Sequence, residues 1–263
     1  MAYYSNAAAE YLNITTNLPS QTNFTACGWT YWTGSPGAFP TMFAIVNSAL
    51  TAGVGIQLSA NITPQFLMLV GDTTTVSAGI ANVKVNTQWF FWAIVGDPVL
   101  YTGYGTTGDG QSLGTAQYLN AAFTAGEMHI ARMFGSGSSL AGYYLNVRIW
   151  NATLSAEEIV KEWKSGYYWP ARWHSLYGWY PMQAGASVGD SIRDMSGNNN
   201  HWAVGAGGTG AVISLAPGYQ GKIRKRPFDY PMDTAVAAAV QTVDMWHPMA
   251  PPPYTDRYVI LPY

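Results

Sequence analysis

A dense run of aromatic side chains is the feature of this sequence most able to do chemistry. Eight of the residues between positions 163 and 180 are Trp or Tyr: Trp163, Tyr167, Tyr168, Trp169, Trp173, Tyr177, Trp179 and Tyr180. Such rings stack on the C–H groups of sugars, but Trp and Tyr are also enriched in protein cores and subunit interfaces. The sequence favours the core or interface interpretation. The alternative is a sugar-stacking platform made of Trp169, Trp173, Tyr177 and Trp179.

Carboxylates and histidines are too scattered to form the usual catalytic sets. Glycosidases need two carboxylates facing one sugar, and the chain has no Glu-x-Asp-x-(x)-Glu run. Three of its five Glu residues lie at 157–162, where they are expected to be capping and solvated groups. The four histidines lack a His-x-x-x-His spacing, and the single Cys27 offers no partner for a zinc site. We therefore expect no catalytic residues and no enzymatic activity.

The composition restricts the classes of partner. Charged residues make up 10% of the chain, and 12 Lys and Arg against 14 Asp and Glu give a net charge of -2. This argues against a dedicated nucleic-acid binder and indicates a neutral, polar and aromatic surface. We expect no membrane span, because no apolar run approaches the ~20 residues required, and no secretory signal at the N-terminus. Cys27 lies in an apolar run, which predicts a buried, inert thiol.

The elements that would position these residues are mostly short strands separated by turn residues. The expected strands cover 24–32, 42–46, 55–60, 65–70, 82–85, 88–95, 99–101, 129–133 and 141–150. This spacing is typical of an antiparallel sandwich or barrel. One helix is predicted over 154–166, with a capping box formed by Ser155 and Glu158. Ile159 and Trp163 share the face that should pack on the sandwich.

The last 48 residues differ in composition from the rest. They contain 8 of the 15 prolines, which block regular helices and sheet interiors. We expect a sandwich domain over 1–215 and an extended C-terminal arm over 216–263. The arm would lie on its own domain or on a neighbouring subunit, and the residues expected to contact that surface are Lys222, Arg224, Lys225, Arg226, Trp246, Tyr254 and Tyr258.

Several segments resemble laminin-G-like domains of the concanavalin A-like superfamily. The run NVRIWNATLSAEEI at 146–159 is similar to the closing strand and helix of that family, and FTACGWTYW at 24–32 and residues 89–101 are similar to earlier strands. LYGWYPM at 176–182 and DMSGNNNH at 194–201 match segments that come first in the family but follow the helix here. Either residues 172–215 supply permuted strands to the same sandwich, which we favour, or a truncated second copy begins there.

The resemblance implies an all-β, antiparallel jelly-roll β-sandwich with one short helix. It also implies occasional calcium binding, for which Asp72, Asp109 and Asp194 are weak candidates; no other cofactor is expected. Such folds serve many functions. The favoured hypothesis is a structural protein of a bacteriophage virion, as a capsid decoration or tail-associated protein, forming a homo-oligomer and contacting the major capsid protein. A carbohydrate-binding module for glycan attachment is the alternative, and an enzyme is the third.

Overall fold

A computed structural model gives the fold of the chain. It describes residues 3–5, 11–15, 17–32, 41–58, 66–72, 76–80, 89–106, 112–119, 123–132, 142–165, 170–182 and 191–204. The chain divides into two units, residues 1–223 and 224–263, and every described residue belongs to the first. The strand predicted at 82–85, Trp169, Asp109 and the entire arm at 216–263 lie outside the described residues.

The described part consists of fifteen strands, one α-helix and one short 3-10 turn. The strands are β1 (Tyr3–Ser5), β2 (Leu12–Ile14), β3 (Phe24–Trp32), β4 (Thr41–Val46), β5 (Ala52–Leu58), β6 (Phe66–Asp72), β7 (Val76–Ile80), β8 (Trp89–Gly96), β9 (Leu100–Thr106), β10 (Leu113–Leu119), β11 (Glu127–Ile130), β12 (Gly142–Trp150), β13 (Leu176–Tyr180), β14 (Ser191–Ile192) and β15 (Trp202–Val204). The helix α1 covers Ala156–Ser165, and the 3-10 turn covers Trp173–Ser175. In the described ranges, no helix is long and apolar enough to cross a membrane.

The strands form two antiparallel sheets packed as a sandwich. The first sheet has the order β1-β12-β3-β8-β9-β10, with β13 also paired to β12. The second sheet has the order β14-β15-β2-β11-β4-β5-β6-β7. The predicted all-β sandwich with one short helix is confirmed.

The segment that follows the helix contributes to both sheets of this sandwich. Strand β13 pairs with β12 in the first sheet, and β15 pairs with β2 in the second, with β14 beside it. The strands after the helix therefore join the sandwich that the earlier strands form, while the permuted order of the family segments stays a prediction. The limits of the sandwich domain at residues 1 and 215 stay a prediction.

The core lies between the sheets and is built by alternation along each strand. Phe90, Trp92 and Ile94 of β8 point inward, and the Trp92 ring stacks on Phe43 of β4 with centroids 5.6 Å apart. The indole N–H of Trp92 donates to the Thr30 hydroxyl at 2.9 Å, so the polar group of this buried ring has a partner. A Cβ on Gly28 would come within 2.9 Å of Cζ2 of Trp92, so a side chain there would collide with that ring.

Helix α1 forms as its sequence predicts and covers part of the outer side of the first sheet. The Ser155 N–H donates to Glu158 at 2.7 Å and the Glu158 N–H donates to the Ser155 hydroxyl at 3.3 Å, which completes the capping box. Leu154 and Ile159 are buried against outward residues of β3 and β8, among them Cys27, whose thiol is buried as expected. Burial, reinforced by the nearby Glu162 carboxylate, raises the pKa of Cys27 well above its ordinary value.

Candidate aromatic binding surface

The outer side of the first sheet carries rings in register across three central strands. Tyr143 of β12 lies opposite Tyr31 of β3, and Tyr31 lies opposite Trp89 of β8. The Tyr31 ring centroid is 6.0 Å from that of Tyr143 and 5.7 Å from that of Trp89. Tyr31 and Tyr143 are half-buried, whereas Trp89 is 5% exposed and forms the floor between its neighbours.

A second row runs parallel to the first. Leu145 of β12 lies opposite Trp29 of β3, which lies opposite Phe91 of β8. The rings of Trp29 and Phe91 meet edge to face at 5.5 Å, a favoured aromatic geometry. Trp29 is half-buried while Leu145 and Phe91 are buried. We call these two rows, Tyr143–Tyr31–Trp89 and Leu145–Trp29–Phe91, the aromatic face.

The third row lies where helix α1 begins to cover the sheet. Trp179 of β13 lies opposite Arg148 of β12, which lies opposite Cys27. The Trp179 indole N–H donates to Oδ1 of Asn146 at 2.8 Å, and the Arg148 guanidinium lies 5.2 Å from the centre of the Trp179 ring. Asn146 has a φ of 51° and lies in the irregular stretch of β12 between Leu145 and Arg148, so a distortion of this strand places the amide beside the indole.

The four residues predicted from sequence to stack on sugars do not form one platform. Trp173 is 36% exposed and meets the half-buried Trp179 edge to face at 6.2 Å. Tyr177 instead lies in the core with 2% exposure, because the pairing of β13 with β12 is irregular between Leu176 and Gly178 and breaks the alternation there, and its ring offers no free face. Trp169 lies outside the described residues. The described platform is thus the pair Trp173 and Trp179, beside the aromatic face.

A buried ion pair fixes helix α1 and the segment after it to the sheet. The Arg148 guanidinium bonds the Glu162 carboxylate, and both side chains are almost fully buried. Glu162 also accepts the Ala171 N–H at 2.6 Å, and the Trp150 indole N–H donates to the Ala171 carbonyl at 2.6 Å. Burial raises the pKa of Glu162 although Arg148 opposes it. The expectation that Glu162 is a solvated helix residue is therefore wrong.

The family assignment follows from the segments that build this sheet. The family model described as the concanavalin A-like lectin/glucanases superfamily matches residues 6–160, which is more than half of the chain. The chain belongs to this superfamily. The match ends before β13, so this concanavalin A-like domain completes both of its sheets with strands from beyond the matched region. A comparison with curated protein sequences gives no match.

Known structures share the fold at low sequence identity. A Bacteroides ovatus protein provisionally described as carbohydrate binding has a TM-score of 0.58 and 12% identity, over 82% of this chain and 60% of that one. The heptameric SAP-like pentraxin of Limulus polyphemus has a TM-score of 0.52 and 12% identity, over 82% of this chain and 94% of that one. Tailspike protein 2 of an Escherichia coli O157:H7 bacteriophage has a TM-score of 0.51 and 12% identity, over 68% of this chain and 28% of that one. The chain therefore spans less than a third of the length of that tailspike. These similarities concern the fold.

The calcium candidates of this concanavalin A-like domain find no cation site in the described residues. Oδ1 of Asp194 accepts the N–H groups of Trp179 at 2.9 Å and Ser196 at 2.8 Å. Oδ2 accepts the Ser196 hydroxyl at 2.8 Å and the Asn200 N–H at 3.1 Å, so four hydrogen bonds occupy the carboxylate. Asp194 therefore ties the loop after β14 to β13. Asp72 ends β6, but its side chain is not described, and Asp109 lies outside the described residues. No described group of three His, Cys, Asp or Glu residues could hold a metal ion.

The second sheet contains a buried titratable group that sequence spacing did not single out. The His129 ring of β11 is fully buried, and its Nε2 lies 2.5 Å from Oε2 of Glu127. The ring centroid of Tyr11 is 5.5 Å from that of His129, and the Arg132 guanidinium lies over Tyr11 at 4.3 Å. Burial lowers the pKa of His129, outweighing the Glu127 carboxylate, which acts to raise it. The Glu127 carboxylate can accept a hydrogen bond from this ring nitrogen.

Sequence reasoning overlooked the aromatic face because its rings come from three separate strands. Its one local signal is the two-residue period of β3, which puts Trp29 and Tyr31 on the side opposite the core residues Phe24 and Ala26. This alternation identifies two of the rings, Trp29 and Tyr31, from the sequence of β3 alone. Tyr143 and Trp89 join them only through strand pairing, which the local pattern does not give.

Proposed function

We propose that this domain is a non-enzymatic structural part of a bacteriophage particle, and that the aromatic face binds a neighbouring copy of the chain. The observation that carries the proposal is the aromatic face itself, where half-buried Trp29, Tyr31 and Tyr143 surround a buried apolar floor. Protein interfaces are enriched in Tyr and Trp and depleted in charge at their centre. Contact with other virion proteins, including a major capsid protein, belongs to the same proposal.

The chemistry of the aromatic face favours a protein partner over a sugar. Sugar recognition needs several precisely placed polar groups beside a stacking ring. Along the described rows, the phenol oxygens of Tyr31 and Tyr143 and the indole N–H groups of Trp29 and Trp89 are the polar side-chain atoms. An uncharged aromatic sheet surface of this kind suits contact with another protein. The fold similarity to a bacteriophage tailspike supports the placement in a virion.

The roles of the described carboxylates support the absence of catalysis. Asp97 accepts the N–H groups of Val99 at 2.7 Å and Leu100 at 2.6 Å and so closes a turn between strands. Glu158 caps the helix, Glu162 pairs with Arg148, and Asp194 ties a loop. A Gly-x-Ser-x-Gly run does occur at 185–189. It lies outside the described residues.

The test measures the solution mass of the full chain by light scattering after size exclusion. We expect an oligomer that Tyr31→Lys converts to a monomer, because a charge placed at the centre of a desolvated interface is strongly unfavourable. Gln117→Lys, at an exposed position of β10, is the matched control and should leave the oligomer intact. A monomeric parent protein, or an oligomer that survives Tyr31→Lys, would contradict the proposal.

The virion hypothesis also assigns a role to the arm at 216–263. We propose that its basic cluster at 222–226 and its rings Trp246, Tyr254 and Tyr258 contact a neighbouring subunit. Crosslinking of the oligomer followed by mass spectrometry tests this role. Links from Lys222 or Lys225 to a second copy support it, and links found exclusively within one copy contradict it.

Carbohydrate binding is the second candidate function, favoured by Trp173 and Trp179. Trp173 is the more exposed of the two rings and Trp179 is held beside it by Asn146, which gives a small fixed edge for stacking. The fold similarity to a Bacteroides ovatus protein provisionally described as carbohydrate binding supports this candidate. Trp173→Ala should abolish binding to a glycan array while leaving the far-ultraviolet circular dichroism of the folded sandwich in place. Unchanged glycan binding, or a loss of the folded signal, would count against it.

A further inference from the structure

The aromatic face is uncharged, and its rings are packed against one another. Neither of its two rows contains an Asp, Glu, Lys, Arg or His residue. Adjacent rings lie with centroids 5.5, 5.7 and 6.0 Å apart, and the floor residues Trp89, Leu145 and Phe91 are at most 5% exposed. Rings held in this way lose little side-chain entropy when a partner covers them.

The arm at 216–263 contains a segment of matching chemistry. The run MWHPMAPPPYT at 245–255 contains no Asp, Glu, Lys or Arg, and within it three consecutive prolines precede a tyrosine. We call residues 251–254 the proline segment. Because proline fixes φ near −65° and has no N–H group, consecutive prolines favour the polyproline II conformation, and their backbone supplies hydrogen-bond acceptors but no donors.

The length of the proline segment matches the width of the aromatic face. The row from Tyr143 through Tyr31 to Trp89 crosses the neighbouring strands β12, β3 and β8. Neighbouring strands lie ~4.8 Å apart, so the row is roughly 10 Å wide. A polyproline II helix rises ~3.1 Å per residue, so three prolines extend over about 9 Å. A segment of this length covers the row from one end to the other.

The polar groups of the two partners are also complementary. The indole N–H of Trp29 is a hydrogen-bond donor and the phenol of Tyr31 can donate, and both side chains are half-buried rather than fully covered. Proline carbonyls are acceptors that need donors of this kind. Aromatic-lined surfaces recognise polyproline II segments in several families of binding domain, because the segment is preformed and loses little entropy on binding.

From these features we infer that the aromatic face of one copy binds the proline segment of a neighbouring copy. The inference rests on the proposed function, and it names the part of the neighbouring copy that occupies the face. Residues 205–250 separate the end of β15 at Val204 from the proline segment. When extended, this length of chain spans up to roughly 150 Å, which is enough to reach a neighbouring copy.

The first experiment measures the dissociation constant of the full-chain oligomer by light scattering over a dilution series. Tyr31→Ala removes the central ring of the row. The triple variant Pro251→Gly, Pro252→Gly, Pro253→Gly removes the preformed conformation of the segment. We expect each to raise the dissociation constant about tenfold or more. Combined, they should raise it by less than the product of the separate effects, because both act on one contact. Effects that simply multiply would overturn the inference.

A second triple variant is the matched control. Pro217→Gly, Pro227→Gly, Pro231→Gly makes the same chemical change at three positions of the arm outside the proline segment. It should leave the dissociation constant of the oligomer unchanged. An increase as large as that caused by the changes at 251–253 would assign the loss to the arm as a whole and overturn the inference.

The second experiment leaves the aromatic face unchanged. Tyr254→p-benzoylphenylalanine puts a photoreactive ring at the end of the proline segment, and full chains labelled with ¹⁴N and ¹⁵N are mixed before irradiation. Mass spectrometry should find cross-links from position 254 of one copy to residues 24–32, 89–96 or 142–150 of the other. Cross-links confined to one copy, or to other parts of the chain, would overturn the inference.

Failure of this inference is distinguishable from failure of the proposed function. An oligomer that Tyr31→Lys converts to a monomer, but that keeps its dissociation constant in the triple variant at 251–253, would overturn the inference and leave the proposed function supported. A monomeric parent protein would contradict both.

Discussion

Removing the Glu162 carboxylate should destabilise this domain far more than removing an exposed carboxylate from the same helix. The side chains of Arg148 and Glu162 are 0% and 2% exposed. In Glu162→Ala the Arg148 guanidinium stays buried without a counter-charge, and the Ala171 N–H loses its acceptor. Breaking one side of a buried pair costs about 3–5 kcal/mol. At ~2–4 °C per kcal/mol for a domain of this size, the expected fall in Tm is roughly 6–20 °C.

Urea unfolding of the full chain, followed by tryptophan fluorescence, measures this change in unfolding free energy. Glu157→Ala is the matched control, because Glu157 is exposed on the same helix, and its effect should stay within about 0.5 kcal/mol. The double variant Arg148→Met, Glu162→Leu should recover most of the loss, since apolar side chains of similar volume can replace a buried pair. A Glu162→Ala variant within about 1 kcal/mol of the parent, or a double variant as unstable as the single one, would refute the reasoning.

Three further changes test other parts of the fold. Ser155→Ala removes the capping hydroxyl of α1 and should lower the unfolding free energy in urea by about 1 kcal/mol. Ser155→Thr keeps a hydroxyl and should lose less, so an equal loss in both variants would contradict the role of the cap. Because burial lowers the pKa of His129, the unfolded chain binds more protons than the folded one below about pH 6.5, so stability should fall as pH drops through that value. His129→Gln should reduce this slope in urea unfolding between about pH 5 and 8, and an unchanged slope would contradict the assignment. Gly28→Ala should destabilise by about 1–3 kcal/mol through the contact with Trp92, and a neutral effect on Tm would mean that the ring moves freely.

Strands with strong apolar or aromatic character could be located from the sequence alone. The prediction of a strand at 24–32 agrees with β3, and the run predicted at 88–95 agrees with β8 to within one residue. The helix was recognisable because its capping box is a local signal. In contrast β7 and β10 were overlooked, since sequences such as Leu113–Leu119 mix Gly, Thr and Gln and carry little apolar alternation. Their strand structure comes from pairing with neighbours, which overrides weak local preference.

The candidate sites were harder to predict because they depend on register between distant segments. Glu162 has the sequence context of an exposed helix residue, and it is buried because the bond to Arg148 lies on the face of α1 that meets the sheet. Tyr177 and Trp179 are two residues apart, yet one lies in the core and the other beside Arg148. Cross-strand pairing, which brings Tyr143 to Tyr31 over a separation of more than a hundred residues, is a property of the folded sheet.

The low charge of the chain has a structural explanation in the first sheet. Strands β3 and β8 bury residues on both sides, since one side faces the second sheet and the other carries either helix α1 or the aromatic face. Charged residues are thus excluded from both sides of the central strands, which leaves apolar and aromatic side chains at these positions. Helix α1 covers the end of the sheet around Cys27 and Trp150, whereas the rows of Tyr31 and Trp29 keep half-buried rings at the surface. Half-buried aromatic rings at a sheet surface favour association, and this is why a charge introduced at Tyr31 is the decisive test of assembly.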